Sequence, residues 1–137
     1  MPTPIATITS DTIDELAIRA AVDAPECGAV VAFSGVVRNH DADRDVLSLD
    51  YEAHPDAEEV LAECCRAVGE ETGLRVAAAH RVGHLAVGDV ALYAAASAAH
   101  RREAFDACEL LVERIKATVP IWKRQQLVDG QTEWVGL

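Results

Sequence analysis

Lysine is almost missing from this sequence. Lys116 and Lys123 are the only two in 137 residues, although lysine and arginine together number 12. Aromatic residues are also few. Phe33, Phe105, Tyr51, Tyr93, Trp122 and Trp134 complete the set, so alanine, valine and leucine must fill most of any core. Positive charge is short overall: the formal net charge of -11 excludes the basic surface that a nucleic-acid phosphate backbone demands. It leaves room for a small anionic ligand, which needs only a local cluster of positive charge. No apolar run approaches the ~20 residues of a membrane span. The start, "MPTPIATITSD", lacks a basic segment followed by an apolar one, so the expectation is a cytosolic protein with no membrane contact. Cys27, Cys64, Cys65 and Cys108 form no CxxC pattern and two of them are neighbours. That spacing suggests neither a zinc site nor a disulfide framework, and buried free thiols are expected instead.

What is present fits one domain spanning residues 1–137, since domains commonly run to ~100–150 residues. Repeats, low-complexity segments and linkers are absent. "IATITS" reads as a short strand. "SDTIDELAIRAAV" places Ile13, Leu16, Ala17 and Ala20 at helical spacing, with Thr12 and Glu15 as a capping box. "GAVVAFSGVVR" reads as a buried strand and "NHDADRD" as a polar turn. "VLSLDYEAH" alternates, predicting Leu47, Leu49 and Tyr51 inward and leaving Val46 out of phase. Pro55 and Asp56 open a second helix that ends at Gly73. "LRVAAAHRVG" and "DVALYAAAS" read as strands joined by "HLAVG". Ser97 is a candidate cap for a third helix running to about Thr118, with Phe105, Cys108, Val112 and Ile115 on one face. Pro120 stops that helix, and the remainder reads as a hairpin turning at Asp129 and Gly130. The class is α+β.

Half of the basic residues crowd into 24 positions: Arg101, Arg102, Arg114, Lys116, Lys123 and Arg124. His100 and Arg101 fall at the start of the third helix, where unpaired N–H groups and the helix dipole favour a phosphate. Solvated charge at a helix end is the plainer reading of the same residues. Lys116 stands near the C-terminal end of that helix, where a cation is favoured anyway. Lys123 follows Trp122 on a strand, so the two face opposite ways; with Trp122 inward, Lys123 either meets solvent or lines a cleft. Alanine- and arginine-rich coding is another account of the missing lysines. Lysine can nonetheless lose its proton when desolvated or crowded by cations, which arginine does not do. Lysines and arginines sharing a pocket would hold an anionic substrate and suit proton transfer or acyl chemistry. "FSGVVRNH" carries one glycine and no lysine, a weak phosphate-loop signal in which Gly35 permits close backbone approach. Adjacent Cys64 and Cys65 are read as core packing, and His54 and His80 as structural.

Four segments, "FSGVVRNH", "HRVGHLAVGD", "SAAHRREAFDACELLVERIK" and "VPIWKRQ", come in an order and spacing that resemble the catalytic large subunit of molybdopterin synthase. The likeness runs from about Gly28 to Gly136. It implies an α+β fold of the α/β-hammerhead type, mostly antiparallel with three helices, and a homodimer within a heterotetramer. It further implies a partner, a small ubiquitin-like sulfur carrier whose Gly-Gly tail ends in a thiocarboxylate and enters the large subunit's pocket. Two sulfurs then pass to cyclic pyranopterin monophosphate, giving the dithiolene of molybdopterin, with no cofactor and no metal. By this resemblance Lys116 and Lys123 are catalytic. The substrate contacts are Val36, Val37, Arg38, His100, Arg101, Lys116, Lys123, Arg124 and Gln125. Gln125 stands where family members often carry an acidic residue, and many relatives have a longer C-terminal tail than one ending at Leu137. A non-catalytic module that docks the carrier's tail, or a lysine-dependent enzyme acting on another small phosphate, are the alternative functions.

Overall fold

The computed structural model describes residues 5–136. In chain order the elements are β1 (Ala6–Thr9), α1 (Glu15–Ala20), β2 (Ala29–Val36), β3 (His40–Asp41), β4 (Arg44–Ala53) and α2 (Ala57–Thr72). They continue with β5 (Arg75–Arg81), β6 (Gly83–Ala86), β7 (Val90–Ala98), α3 (Arg101–Thr118), β8 (Ile121–Leu127) and β9 (Thr132–Gly136). One sheet has the order β1-β5-β7-β2, and only its β1–β5 pair is parallel. The other runs β3-β4-β8-β9, with β6 also paired to β4, and is antiparallel throughout. The architecture is the α+β class, mostly antiparallel with three helices, that the sequence implied. Among the described residues no helix is long and apolar enough to cross a membrane.

Helices cover both faces of the first sheet, which is why β5 and β7 read as unbroken apolar runs rather than alternating ones. Val76, Ala78, Leu92, Ala94 and Ala96 face α2 and α3, meeting Leu61, Val68, Leu111 and Ile115. Ala77, Ala79, Tyr93 and Ala95 face the opposite way, onto Ile13, Ile18 and Val22 around α1. Alanine at so many of these positions keeps the layers thin. The inner face of the second sheet, through Val46, Leu49, Tyr51, Leu85, Ile121 and Leu127, joins the core under α2 and α3.

Several local expectations change. The cap of α1 is Asp14, whose Oδ1 accepts from the Ala17 N–H at 3.1 Å, and no Thr12–Glu15 box forms. Leu16 is 80% exposed; Ile18 carries the buried face instead. β2 is an edge strand, half-buried and exposed in turn, because only β7 pairs with it. A bulge between Val46 and Ser48 shifts the phase of β4, burying Val46 and turning Leu47 outward. The "HLAVG" connection carries β6. Ser97 lies inside β7 and its hydroxyl donates to the Val22 carbonyl; His100 occupies the cap position of α3. Phe105 is exposed, while Cys108, Val112 and Ile115 are buried.

Other expectations hold. α2 ends at Gly73, whose φ of 69° is the left-handed cap conformation that glycine accepts without strain. α3 stops at Val119, and the Pro120 carbonyl accepts from His54 N–H at 3.0 Å. The β8–β9 hairpin turns at Asp129 and Gly130, with Gly130 N–H donating to the Leu127 carbonyl at 3.0 Å.

Candidate active site

A cavity of about 260 Å³ opens where the two sheets meet the C-terminal end of α3. The end of β2 and the residues after it contribute Gly35, Val36, Val37 and Arg38, and the β3–β4 hairpin adds His40 and Asp41. β4 supplies Leu49 and Tyr51, β5 supplies His80, and β7 supplies Ala91 and Leu92. Lys116 comes from α3, and Lys123 and Gln125 come from β8.

Register explains the composition of the wall. Tyr51 stands opposite Lys123 and Leu49 opposite Gln125 across the β4–β8 pair. Side chains two apart share a face, so Lys123 and Gln125 turn inward together. Trp122 and Arg124 therefore turn outward, the reverse of the orientation expected with Trp122 packed inside. Trp122 is 45% exposed. Arg124 pairs with Asp50 at 3.5 Å and lies 5.6 Å over the Trp134 ring, away from the cavity. Gly35 sits at a tight spot: a Cβ there would stand 3.2 Å from Phe33 Cε1 and 3.5 Å from Leu92 Cβ.

The cavity is positive and partly shielded from solvent. Lys123 is half-buried, and desolvation draws its pKa below the usual lysine range. Asp41 opposes that shift, while Lys116 and Arg38 add to it. Lys116 and Arg38 are exposed at the rim. Gln125 is only 3% exposed, and its Nε2 donates to Asp41 Oδ2 at 2.9 Å. Tyr51 is pushed up to about 12 by burial and keeps its proton.

His80 was expected to be structural, yet it lines this cavity while being 2% exposed. Its Nδ1 donates to the Arg81 carbonyl at 2.7 Å, which leaves Nε2 as the acceptor. Burial first, and the nearby Lys116 charge as well, bring its pKa down to about 4, so the ring is neutral at pH 7. The Tyr51 ring meets it edge-on at 5.1 Å. A polar residue ending the alanine run of a doubly buried strand was the signal available for it. Asp41 had no such signal, because its place depends on a two-residue hairpin in which Ala42 takes φ 54°.

His100 and Arg101 lie elsewhere. They line a second, more open cleft at the N-terminal end of α3, together with Arg102, Glu103, Phe105 and Asp106. At 1.5 Å per residue, the helix separates Arg101 from Lys116 by about 22 Å. Within one chain the structure brings together Val36, Val37, Arg38, Lys116, Lys123 and Gln125, and it does not bring His100, Arg101 or Arg124 to them. The cysteines take no part: burial raises Cys65 to about 12 and Cys108 to about 11, and Cys64 Sγ shares a hydrogen bond with Thr118 Oγ1 at 3.1 Å.

Comparison with known proteins identifies the family. Residues 8–118 match the family model described as "MoaE protein". The chain belongs to the MoaE family. Over 135 residues it is 42% identical to a "Molybdopterin synthase catalytic subunit 1" of Mycobacterium tuberculosis, covering 97% of this chain and 91% of that one. The crystal structure of molybdopterin synthase from Staphylococcus aureus superposes with a TM-score of 0.88 at 36% identity, covering 95% and 96% of the two chains. A complex of subunits 1 and 2 of molybdopterin-converting factor from Helicobacter pylori shares the MoaE fold, with a TM-score of 0.73 at 21% identity, over 95% and 88% of the chains.

Proposed function

We propose that this MoaE-family chain is a sulfurtransferase of molybdenum cofactor biosynthesis, acting as the catalytic subunit of a molybdopterin synthase. It converts cyclic pyranopterin monophosphate to molybdopterin with sulfur from a thiocarboxylated, ubiquitin-like small subunit. The observation that carries this reading is the convergence of Lys116, from a helix end, and Lys123, from a strand, on one cavity beside Arg38. Lys116, at the rim, meets the terminal carbonyl of the carrier's tail as the sulfur leaves it. Lys123, deeper and partly desolvated, serves as the electrostatic and proton-transferring group beside the pterin. Arg38 holds the substrate's phosphate at the rim.

The chain acts as a homodimer within a heterotetramer. His100 and Arg101 serve the pocket of the second copy, since about 22 Å of helix keeps them from their own. The test is turnover of the cyclic precursor with thiocarboxylated carrier. Lys116→Ala and Lys123→Ala each abolish conversion while the far-ultraviolet circular dichroism is unchanged. Near-normal turnover in both variants sinks the mechanism, and complex formation without dithiolene product from the unaltered chain would make it a docking module.

A further inference from the structure

Asp41 is the one carboxylate lining the cavity among the described residues, and it faces three cations. Nothing in the catalytic reading above uses it. Its position is nonetheless fixed from two sides. Oδ2 accepts from Gln125 Nε2 at 2.9 Å, and Oδ1 stands 3.7 Å from an Arg38 guanidinium nitrogen. Gln125 is a buried amide on the same strand face as Lys123, two residues on. A buried amide costs free energy unless it is paired, so Gln125 and Asp41 constrain one another. The contact ties the short β3–β4 hairpin to the wall that carries Lys123.

The other groups around Lys123 cannot take this part. Lys116 on α3 and Arg38 after β2 repel it. His80 on β5 is neutral at pH 7, and Tyr51 on β4 keeps its proton. On β9, Glu133 stands opposite Gln125 in register, but its carboxylate is taken by Arg44 at 2.7 Å. Asp50, next to Tyr51 on β4, faces outward and is held by His84, Gln126 and Arg124. Asp41 alone is left to offset the lysine's desolvation and the repulsion of its two neighbours.

We propose that Asp41, clamped by Gln125 two residues from Lys123 on the same strand face, is the positioning residue of this pocket and supplies across the cavity the countercharge that keeps Lys123 an ammonium. The proposal rests on the catalytic reading for its purpose, but its test does not. With two lysines in the chain, ε-¹³C-lysine labelling gives two side-chain signals, assigned with a Lys116→Arg variant. The pH titration of each is followed in the parent protein, in Asp41→Asn and in Gln125→Met. Asn at 41 can still accept from Gln125 and removes only the charge. Met at 125 keeps the volume and removes the clamp.

The Lys123 midpoint is expected to move to lower pH in Asp41→Asn, and in the same direction by less in Gln125→Met. The Lys116 signal reports that the pocket remains folded. A Lys123 midpoint unmoved by Asp41→Asn overturns the proposal, and one moved by Asp41→Asn but not by Gln125→Met overturns the clamp. Turnover assayed on the same samples separates the two readings: an inactive parent protein with the expected midpoint shifts sinks the catalytic reading and leaves this one standing.

Discussion

Lys123 and Tyr51 stand opposite one another across the β8–β4 pair, both turned into the cavity. The phenol, protonated to about pH 12, lends the lysine no countercharge. Desolvation therefore acts on Lys123 with only Asp41 against it. The folded-state lysine loses its proton at lower pH than a free one does. If the ammonium is the working form, activity falls on the alkaline side earlier than a solvated lysine would allow. Lys123→Arg, which stays charged, is expected to lose that limb along with about 10²–10⁴-fold in kcat, from the missing proton transfer. A kcat–pH profile of the parent and the arginine variant checks both points.

His80 gives the fold an acid sensitivity. Its folded pKa of about 4 lies below the ordinary 6.5, so between those values the unfolded chain binds a proton that the folded one refuses. Stability is full above about pH 6.5, declines as pH falls toward 4, and levels off below. The total loss is about 3 kcal/mol. Urea midpoints at pH 7 and pH 4.5 should differ for the parent protein, and a His80→Gln variant should show a smaller difference.

The separation of Lys116 from Arg101 along α3 makes a prediction about mixtures. Lys123→Ala and Arg101→Ala chains, each inactive alone, are unfolded together and refolded in equal amounts. If His100 and Arg101 act across a dimer, each mixed dimer has one intact pocket, and roughly a quarter of the parent activity returns. If they act within one chain, no activity returns.

The bulge in β4 can be tested by stability alone. Val46→Ala removes buried methyl groups and is expected to cost about 1–2 kcal/mol. Leu47→Ala, at a position 58% exposed, should stay within about 0.5 kcal/mol. Equal costs would mean that the strand does not shift phase there.

What could be read from the sequence follows from where its signals are local. Gly73 and Pro120 announce the ends of α2 and α3 because their backbone restrictions act within a residue or two. Strict alternation carried Leu49, Tyr51 and the opposition of Trp122 to Lys123. It failed at Val46 and Leu47, since a bulge adds a residue without marking it in the composition. Alternation left the face of Trp122 open: its size suggests burial, whereas register with β4 turns it outward. Ser97 looked like a cap, but its hydroxyl is used inside the sheet on Val22. At the site, the two lysines were legible as part of an uneven charge distribution, and Arg38 through the family resemblance. Asp41 was not, because its place depends on Gln125, 84 positions away; His80 showed only as a polar residue closing an alanine run, and its cavity setting depends on Lys116 from another element.

The alanine sheet between α1 and the other two helices has one further consequence. Ala94, fully enclosed, presents its carbonyl to Cys108 Sγ at 3.9 Å, so there only the short Cys108 side chain stands between α3 and the backbone of β7. Any bulkier side chain on that face would act as a shim, lifting the helix and carrying Lys116 away from the strand that bears Lys123. Tolerance to change in this protein is therefore not graded by distance from the pocket. A single methyl group added under α3, at a position that never meets a reactant, can put the two lysines out of step.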